Sequence, residues 1–259
     1  MFHPSSPRIG AALALALCLC APSAAGAKQS AKHGGRQAAK LRASLTPERL
    51  GAATTVSLGI QITAKTRVPS ALRSIQLAYP RDLGLATSGL GLASCSPATL
   101  EALGAEACPA DSRMGSGSAV VEIPVGPDIV KETVSLELFA GPSPDGRLHV
   151  LVYVSSVFAV HAEFVFSGVL LAGRLRIAVP LIPALPGAPD VAVTRMQVTL
   201  GGPLTYYERV HGRNLAYHPP GVGLPDSCPG GGFAFAATFA FADGSHARAR
   251  TAVPCPRGG

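Results

Sequence analysis

Polar aromatic, imidazole and guanidinium side chains gather in one stretch of the chain: Tyr206, Tyr207, Glu208, His211, Arg213, Asn214, Tyr217 and His218. Tyrosine rings stack on ligands while Arg and Asn supply hydrogen bonds, so Tyr206, Tyr207, His211, Arg213, Tyr217 and His218 form a candidate ligand or sugar surface. The same stretch holds the pieces of a hydrolase, with His211 and His218 beside Asp190 or Glu208, provided that these converge in space. Against both stands a plainer reading. Leu204 to Val210 and Leu215 to His218 make a hairpin turned at His211-Gly212-Arg213-Asn214, in which the tyrosines bridge core and solvent. His149 and His161 fall in or beside strands and read as surface or satisfied core residues. Elsewhere, Gly115-Ser116-Gly117 lacks the G-x-S-x-G frame of a nucleophile elbow and reads as a turn ahead of a strand. There is no GxxxxGK[ST], no HExxH and no GxGxxG between strand and helix, so no catalytic residue, cofactor or metal site is expected.

Six cysteines carry the other chemistry, and their meaning depends on compartment. Arg8 supplies a positive leader, Ile9 to Ala21 form an apolar run too short to span a bilayer, and Ala25-Gly26-Ala27 fits a cleavage site. Residues 1–27 therefore read as a signal peptide with the mature start at Lys28. Leu17 and Leu19 ahead of Cys18 and Cys20 speak against lipoprotein processing. Cleavage leaves Cys95, Cys108, Cys228 and Cys255, an even number outside the cytosol that reads as two disulfides with three possible connectivities. Closeness in sequence suggests Cys95 with Cys108 and Cys228 with Cys255. A zinc site is disfavoured, because no CxxC pair and no neighbouring His at ligand spacing is present.

These groups must be positioned by a chain of 259 residues that is 47% apolar, 14% charged and 5% aromatic, without Trp. Gly 29 and Pro 23 put frequent turns between short segments and argue against long helices. The formal charge of +7 is unevenly placed: residues 1 to 49 hold seven of the 22 Lys and Arg and a single acid, Glu48. The remainder carries 15 bases against 14 acids, too near neutral by count for a nucleic-acid-binding face. Residues 28–49 lack apolar periodicity and read as a disordered basic arm. It is either a solvated spacer or an adhesive segment for anionic cell-wall polymers or polysaccharide.

From residue 54 the period becomes two. Thr54, Val56, Leu58, Ile60 and Ile62 alternate with polar or small residues. Similar alternation recurs at Ile75 to Tyr79, Ala119 to Val125, Val134 to Leu138, Leu148 to Val154 and Leu175 to Val179. Less regular candidates are Glu163 to Leu171, Val191 to Leu200 and Leu204 to Val210. Ser96 caps a short helix from Pro97 to Leu103 that Gly104 stops, inside the Cys95 to Cys108 loop. Phe233, Phe235, Phe239 and Phe241 share one face. A three-residue loop at Ala242-Asp243-Gly244 pairs Phe239 with Ala247 and keeps the following charges in water. The Pro-rich run Pro180 to Pro189 reads as a crossover between sheets or an exposed partner-binding loop. The expected fold is all-β: an antiparallel two-sheet β-sandwich of about ten strands over residues 50–259, as one domain or two subdomains.

Cys95-(x12)-Cys108-Pro109-Ala110-Asp111-Ser112-Arg113-Met114-Gly115 before a strand resembles a C…CPxxSxxG block of exported proteins of high-GC soil actinobacteria. The later order is similar to the same group: Pro-rich crossover, Val191 to Leu200, Cys228, a Phe/Ala strand, Asp243-Gly244 and Cys255. The resemblance implies an exported β-rich scaffold with local disulfides and carries over no catalytic residue.

The leading expectation is a secreted, disulfide-stabilised protein that binds or coats at the cell envelope without catalysing a reaction and has no membrane span after cleavage. The hydrolase around His211 and His218 is the alternative. A third reading, a carrier of apolar ligands, requires the strands to enclose an empty cavity rather than interdigitated side chains.

Overall fold

The computed structural model describes residues 37–65, 67–84, 93–156, 162–183, 189–201, 206–217 and 222–256. The expected signal peptide, the first part of the expected basic arm, His161 and His218 lie outside these residues. The chain forms strands β1 (Ala38–Thr46), β2 (Ala53–Thr63) and β3 (Leu72–Ala78), then helix α1 (Pro97–Leu103). There follow β4 (Arg113–Val125), β5 (Asp128–Gly141), β6 (Leu148–Ser156), β7 (Ala162–Leu171), β8 (Arg174–Ala178) and β9 (Ala192–Leu200). The last are β10 (Tyr206–Val210), β11 (Arg213–Tyr217), β12 (Val222–Gly223), β13 (Phe233–Phe241) and β14 (His246–Val253).

Here the two-sheet sandwich gives way to a different architecture. One antiparallel sheet runs β1-β2-β9-β4-β5-β6-β7-β8-β3-β13-β14, with β12 attached to β2, and curls into a nearly closed barrel of 11 strands. An apolar/polar alternation fixes which face of each strand is buried, and both a sandwich and a barrel satisfy it. What separates them is the identity of strand neighbours. Bulges between Arg113 and Gly115, Val120 and Val121, and Ala240 and Phe241 bend and twist the sheet toward closure. They also reset parity, so that Val193 and Met196 both turn inward although they are three residues apart. This is why the β9 segment looked irregular.

The basic arm is corrected as well. Its residues 38–46 are β1, fully paired with β2 from Ala38↔Thr63 to Thr46↔Thr55. Leu41 and Leu45 are buried, while Lys40, Arg42 and Ser44 are exposed. The period of two was present but muted, because Ala39 and Ala43 fill two inward positions with little apolar area. Counting orientation along the sheet, an odd number of antiparallel strands leaves β1 and β14 parallel to each other at the seam. A polar tie links them there: the Gln37 amide donates to Asp243 Oδ2 (3.2 Å), and Ser70 N–H donates to Gln37 Oε1 (3.2 Å).

The C-terminal hairpin has the expected register. Phe239 pairs with Ala247, and Gly244 at φ 80 closes the three-residue loop through Phe241 N–H to Ser245 O (3.0 Å). The four phenylalanines are buried inward, with Ala247, Ala249 and Val253 beside them. Both disulfides form as sequence proximity suggested, Cys95–Cys108 and Cys228–Cys255, with Cα atoms 5.3 and 5.9 Å apart. In α1 the Ser96 hydroxyl accepts from Thr99 N–H (3.0 Å), and Gly104 ends the helix. This clipped loop packs on the outside of the barrel, where Leu100 meets Phe139, Leu151 and Tyr153, so β5 and β6 are covered on both faces there. Gly115-Ser116-Gly117 proves to be strand, not turn. A Cβ at Gly115 or Gly117 would lie 2.1 Å from a β9 carbonyl oxygen, so the missing side chains let the two backbones approach.

On β2 and β14 the inward side chains are mostly apolar and the outward ones mostly small, polar or charged. Among the described residues, no helix is long and apolar enough to cross a membrane.

Candidate functional site

The inward faces do not fill the barrel. Between them lies a cavity of ≈ 210 Å³, walled by Leu58 and Ile60 of β2, Ala119 and Val121 of β4, Val152 and Val154 of β6, Phe164 and Phe166 of β7, and Met196 and Val198 of β9, with further aliphatic side chains. This apolar void is larger than the roughly 150 Å³ that admits benzene, so it has room for a small apolar ligand. Tight interiors hold few voids larger than water.

One end of this cavity is polar. Glu132, near the start of β5, and Ser156, the last residue of β6, are the two polar side chains in its lining. They are 4% and 6% exposed, and the Ser156 hydroxyl donates to Glu132 Oε1. Among the described residues Glu132 has no cationic partner. Lys131 points to the other face of β5 and pairs with Glu122 at 3.2 Å. A carboxyl offers several acceptor positions and one serine meets only one of them, so the remainder faces the cavity. Burying such a group costs free energy unless a partner compensates it.

The same end is crossed by the chain between β8 and β9, strands that stand far apart in the sheet order. Val179 still donates to Arg73 O of β3 (2.8 Å), whereas Ile182 O already accepts from Val191 N–H at the approach to β9 (2.8 Å). Pro180, Ile182 and Pro183 thereby line the cavity. Proline fixes this crossing in an extended form without leaving backbone donors unmet. The Pro-rich run is thus a crossover, one that spans the barrel end instead of joining two sheets, and residues 184–188 lie outside the described part.

The expected Tyr/His surface is placed elsewhere. β10 and β11 make a separate two-stranded hairpin, with Tyr206 opposite Tyr217 and Val210 opposite Arg213. His211 at φ 50 and Gly212 at φ 78 form its two-residue turn, the left-handed pair that suits such a hairpin. Tyr207 is 68% exposed, and His211, Arg213 and Asn214 are exposed beside it. Asp190 sits just before β9 and the hairpin follows its far end, so the strand's length separates Asp190 from His211. The side chains of Tyr206, Glu208 and Tyr217 lie outside the described set.

His149 Nε2 lies 3.2 Å from Asp145 Oδ1 at the connection between β5 and β6. The Arg147 backbone N–H, helped by His149, holds the Asp145 carboxyl below its usual range. Beneath α1, burial pushes the Tyr153 hydroxyl up to about 12, with hydrogen bonding to Glu163 adding to the effect. This tyrosine serves packing. Among the described residues no group of three or more His, Cys, Asp or Glu is arranged to hold a metal ion.

Sequence reasoning missed Glu132 and Ser156, although a signal was present. Glu132 is in phase with Val134, Leu136 and Leu138, and Ser156 with Val150, Val152 and Val154. A polar residue on the apolar parity at a strand end is easily taken as the point where the strand leaves the core. Comparison of the chain with protein-family models, curated proteins and solved structures gave no match.

Proposed function

We propose that this chain is an exported, non-catalytic binding protein whose barrel carries an apolar ligand with a single hydrogen-bond-donating head group. The observation that supports it is the apolar cavity of ≈ 210 Å³ with one buried carboxyl at its end. Apolar walls give affinity without direction, and Glu132 with Ser156 gives direction by accepting from an amine or hydroxyl. A fatty acid is a poor fit, since a second carboxyl beside Glu132 adds like charge or a competing acceptor. The two local disulfides and the leader-like first 27 residues favour an extracellular setting, at or near the cell envelope.

The test uses the full chain and the neutral dye N-phenyl-1-naphthylamine, whose emission rises in apolar sites. Uptake is expected, with displacement by decylamine and decanol and at least about tenfold weaker displacement by decanoate, the cost of one unfavourable polar contact. Ala119→Phe and Val152→Phe fill the cavity and should each abolish uptake while the far-ultraviolet spectrum stays strand-like. Absence of uptake by the folded wild-type chain, or uptake unchanged in both variants, refutes the carrier reading.

A further inference from the structure

The count of charges over residues 50–259 is near neutral, but folding sorts them by side and sets Lys40 and Arg42 of β1 beside the cations. β1, β14, β13, β3 and β8 are consecutive around the barrel if the seam is included, and together they contain seven Lys or Arg and no Asp or Glu. The outward carboxylates Glu122 and Glu137 stand on β4 and β5, across the barrel, and Glu163 stands at the start of β7, the strand next to β8. Among the described residues, none of the seven cations makes an ion pair.

Register places them in rows. Arg248 pairs with Thr238, Thr238 with Gln76, and Gln76 with Arg176. One row along, Arg250 pairs with Ala236, Ala236 with Ala78, and Ala78 with Arg174. Strand spacing sets the two arginines of each row about 14 Å apart, and the two rows lie about 7 Å apart along the strands. All four arginines are exposed. The floor between them is Thr238, Gln76, Ala236 and Ala78, short or uncharged side chains that leave the guanidinium groups standing as rims. Lys40 and Arg42 extend the same outward face beyond β14 on β1.

We propose that this face is a docking surface for a linear polyphosphate, a chain of repeating phosphate groups laid across β14, β13, β3 and β8. Charge complementarity carries the assignment. Unpaired guanidinium groups in parallel rows match multiple anionic groups on one chain, and guanidinium forks bind phosphate and sulfate oxygens two at a time. Single-stranded nucleic acid fits less well, because base stacking needs outward aromatic rings and every phenylalanine of these strands points into the barrel. The surface is independent of the cavity and stands whether or not a ligand occupies the interior. It also moves the expected envelope contact from a loose arm to a folded wall, of which Lys40 and Arg42 are part.

The experiment titrates the full chain with short-chain inorganic polyphosphate and, in parallel, dextran sulfate across a salt series, read by calorimetry. Arg248→Gln with Arg250→Gln should weaken binding about tenfold or more and reduce the slope of log K against log salt by about 1.4, the loss of two contacts on a single-stranded polyanion. Arg195→Gln with Arg209→Gln removes the same charge from other surfaces and should change affinity less than about twofold. Polyphosphate binding at least as tightly as dextran sulfate of equal charge is expected; a clear preference for dextran sulfate overturns the phosphate assignment. Equal losses in the two double variants reduce the effect to net charge and overturn the proposal. So does an oligothymidylate of equal charge binding more tightly than both polymers, or no binding at low salt.

Discussion

Replacing Glu132 with leucine separates a ligand anchor from a structural residue, because the two roles predict opposite signs. In the free protein Glu132 is 4% exposed in an apolar wall, with Ser156 as its hydrogen-bonding neighbour among the described residues. An incompletely satisfied buried polar group costs about 1–3 kcal/mol. Leucine removes that cost and adds apolar contact beside a cavity with room for it, and Ser156 retains an interaction besides Glu132. Glu132→Leu should therefore stabilise the free protein by about 1–3 kcal/mol, a rise in Tm of roughly 2–12 °C for a domain of this size. At the same time the preference for decylamine over decanoate should vanish while dye uptake persists. Scanning calorimetry and dye displacement on the same preparation measure both. A loss of stability of more than about 1 kcal/mol would show that Glu132 belongs to a satisfied structural network, and the reasoning from its unmet acceptors would fail. Gains of this kind at functional positions reflect the usual conflict between stability and a site built for a partner.

Two further outcomes test the scaffold. Leu100 is fully buried between α1 and the outer face of β5 and β6, so Leu100→Ala should cost about 2–5 kcal/mol, visible as a fall in denaturant midpoint with unchanged slope. A cost below about 1 kcal/mol would mean that the clipped loop is not packed on the barrel. At the seam, burial works to raise the Asp243 carboxyl, but hydrogen bonds from Ser245 and Gln37 outweigh it and hold the group below its usual range. Its folded value lies under its unfolded one, so its contribution is present above about pH 4 and fades as pH falls through the folded value. Asp243→Asn should flatten the acid limb of Tm below about pH 4 and leave the neutral plateau with little dependence on pH, and an identical acid limb in both proteins would remove Asp243 from the seam's pH response.

Much of the scaffold was legible locally. The Ser96 cap, the Gly104 stop and the Asp243-Gly244 loop each rest on contacts between residues close in sequence, and each is found as expected. The β10–β11 hairpin lies where the plain reading put it, with its turn tightened to His211-Gly212 because Val210 pairs with Arg213, but Tyr207, expected to bridge core and solvent, is exposed. The candidate site was legible only in part. Tyr207, His211 and Arg213 attracted attention by residue type, yet they lie exposed on a separate hairpin. Glu132 and Ser156 looked ordinary, and they meet only because β5 and β6 pair and curl inward.

The sequence by itself determined the strand-rich class, the buried face of most strands, the clipped helix and the two local disulfides, since alternation, capping and short loop closures are properties of neighbouring residues. Tertiary structure alone decided that β1 completes the wall, that one sheet curls into a barrel instead of two sheets stacking, and that its interior keeps an apolar cavity. It also decided that a nearly neutral body presents an acid-free basic wall. The physical reason is common to all of these. Strand neighbours are chosen by pairing between residues as far apart as β3 and β13 or β2 and β9, and alternation within a strand specifies a face but not a partner.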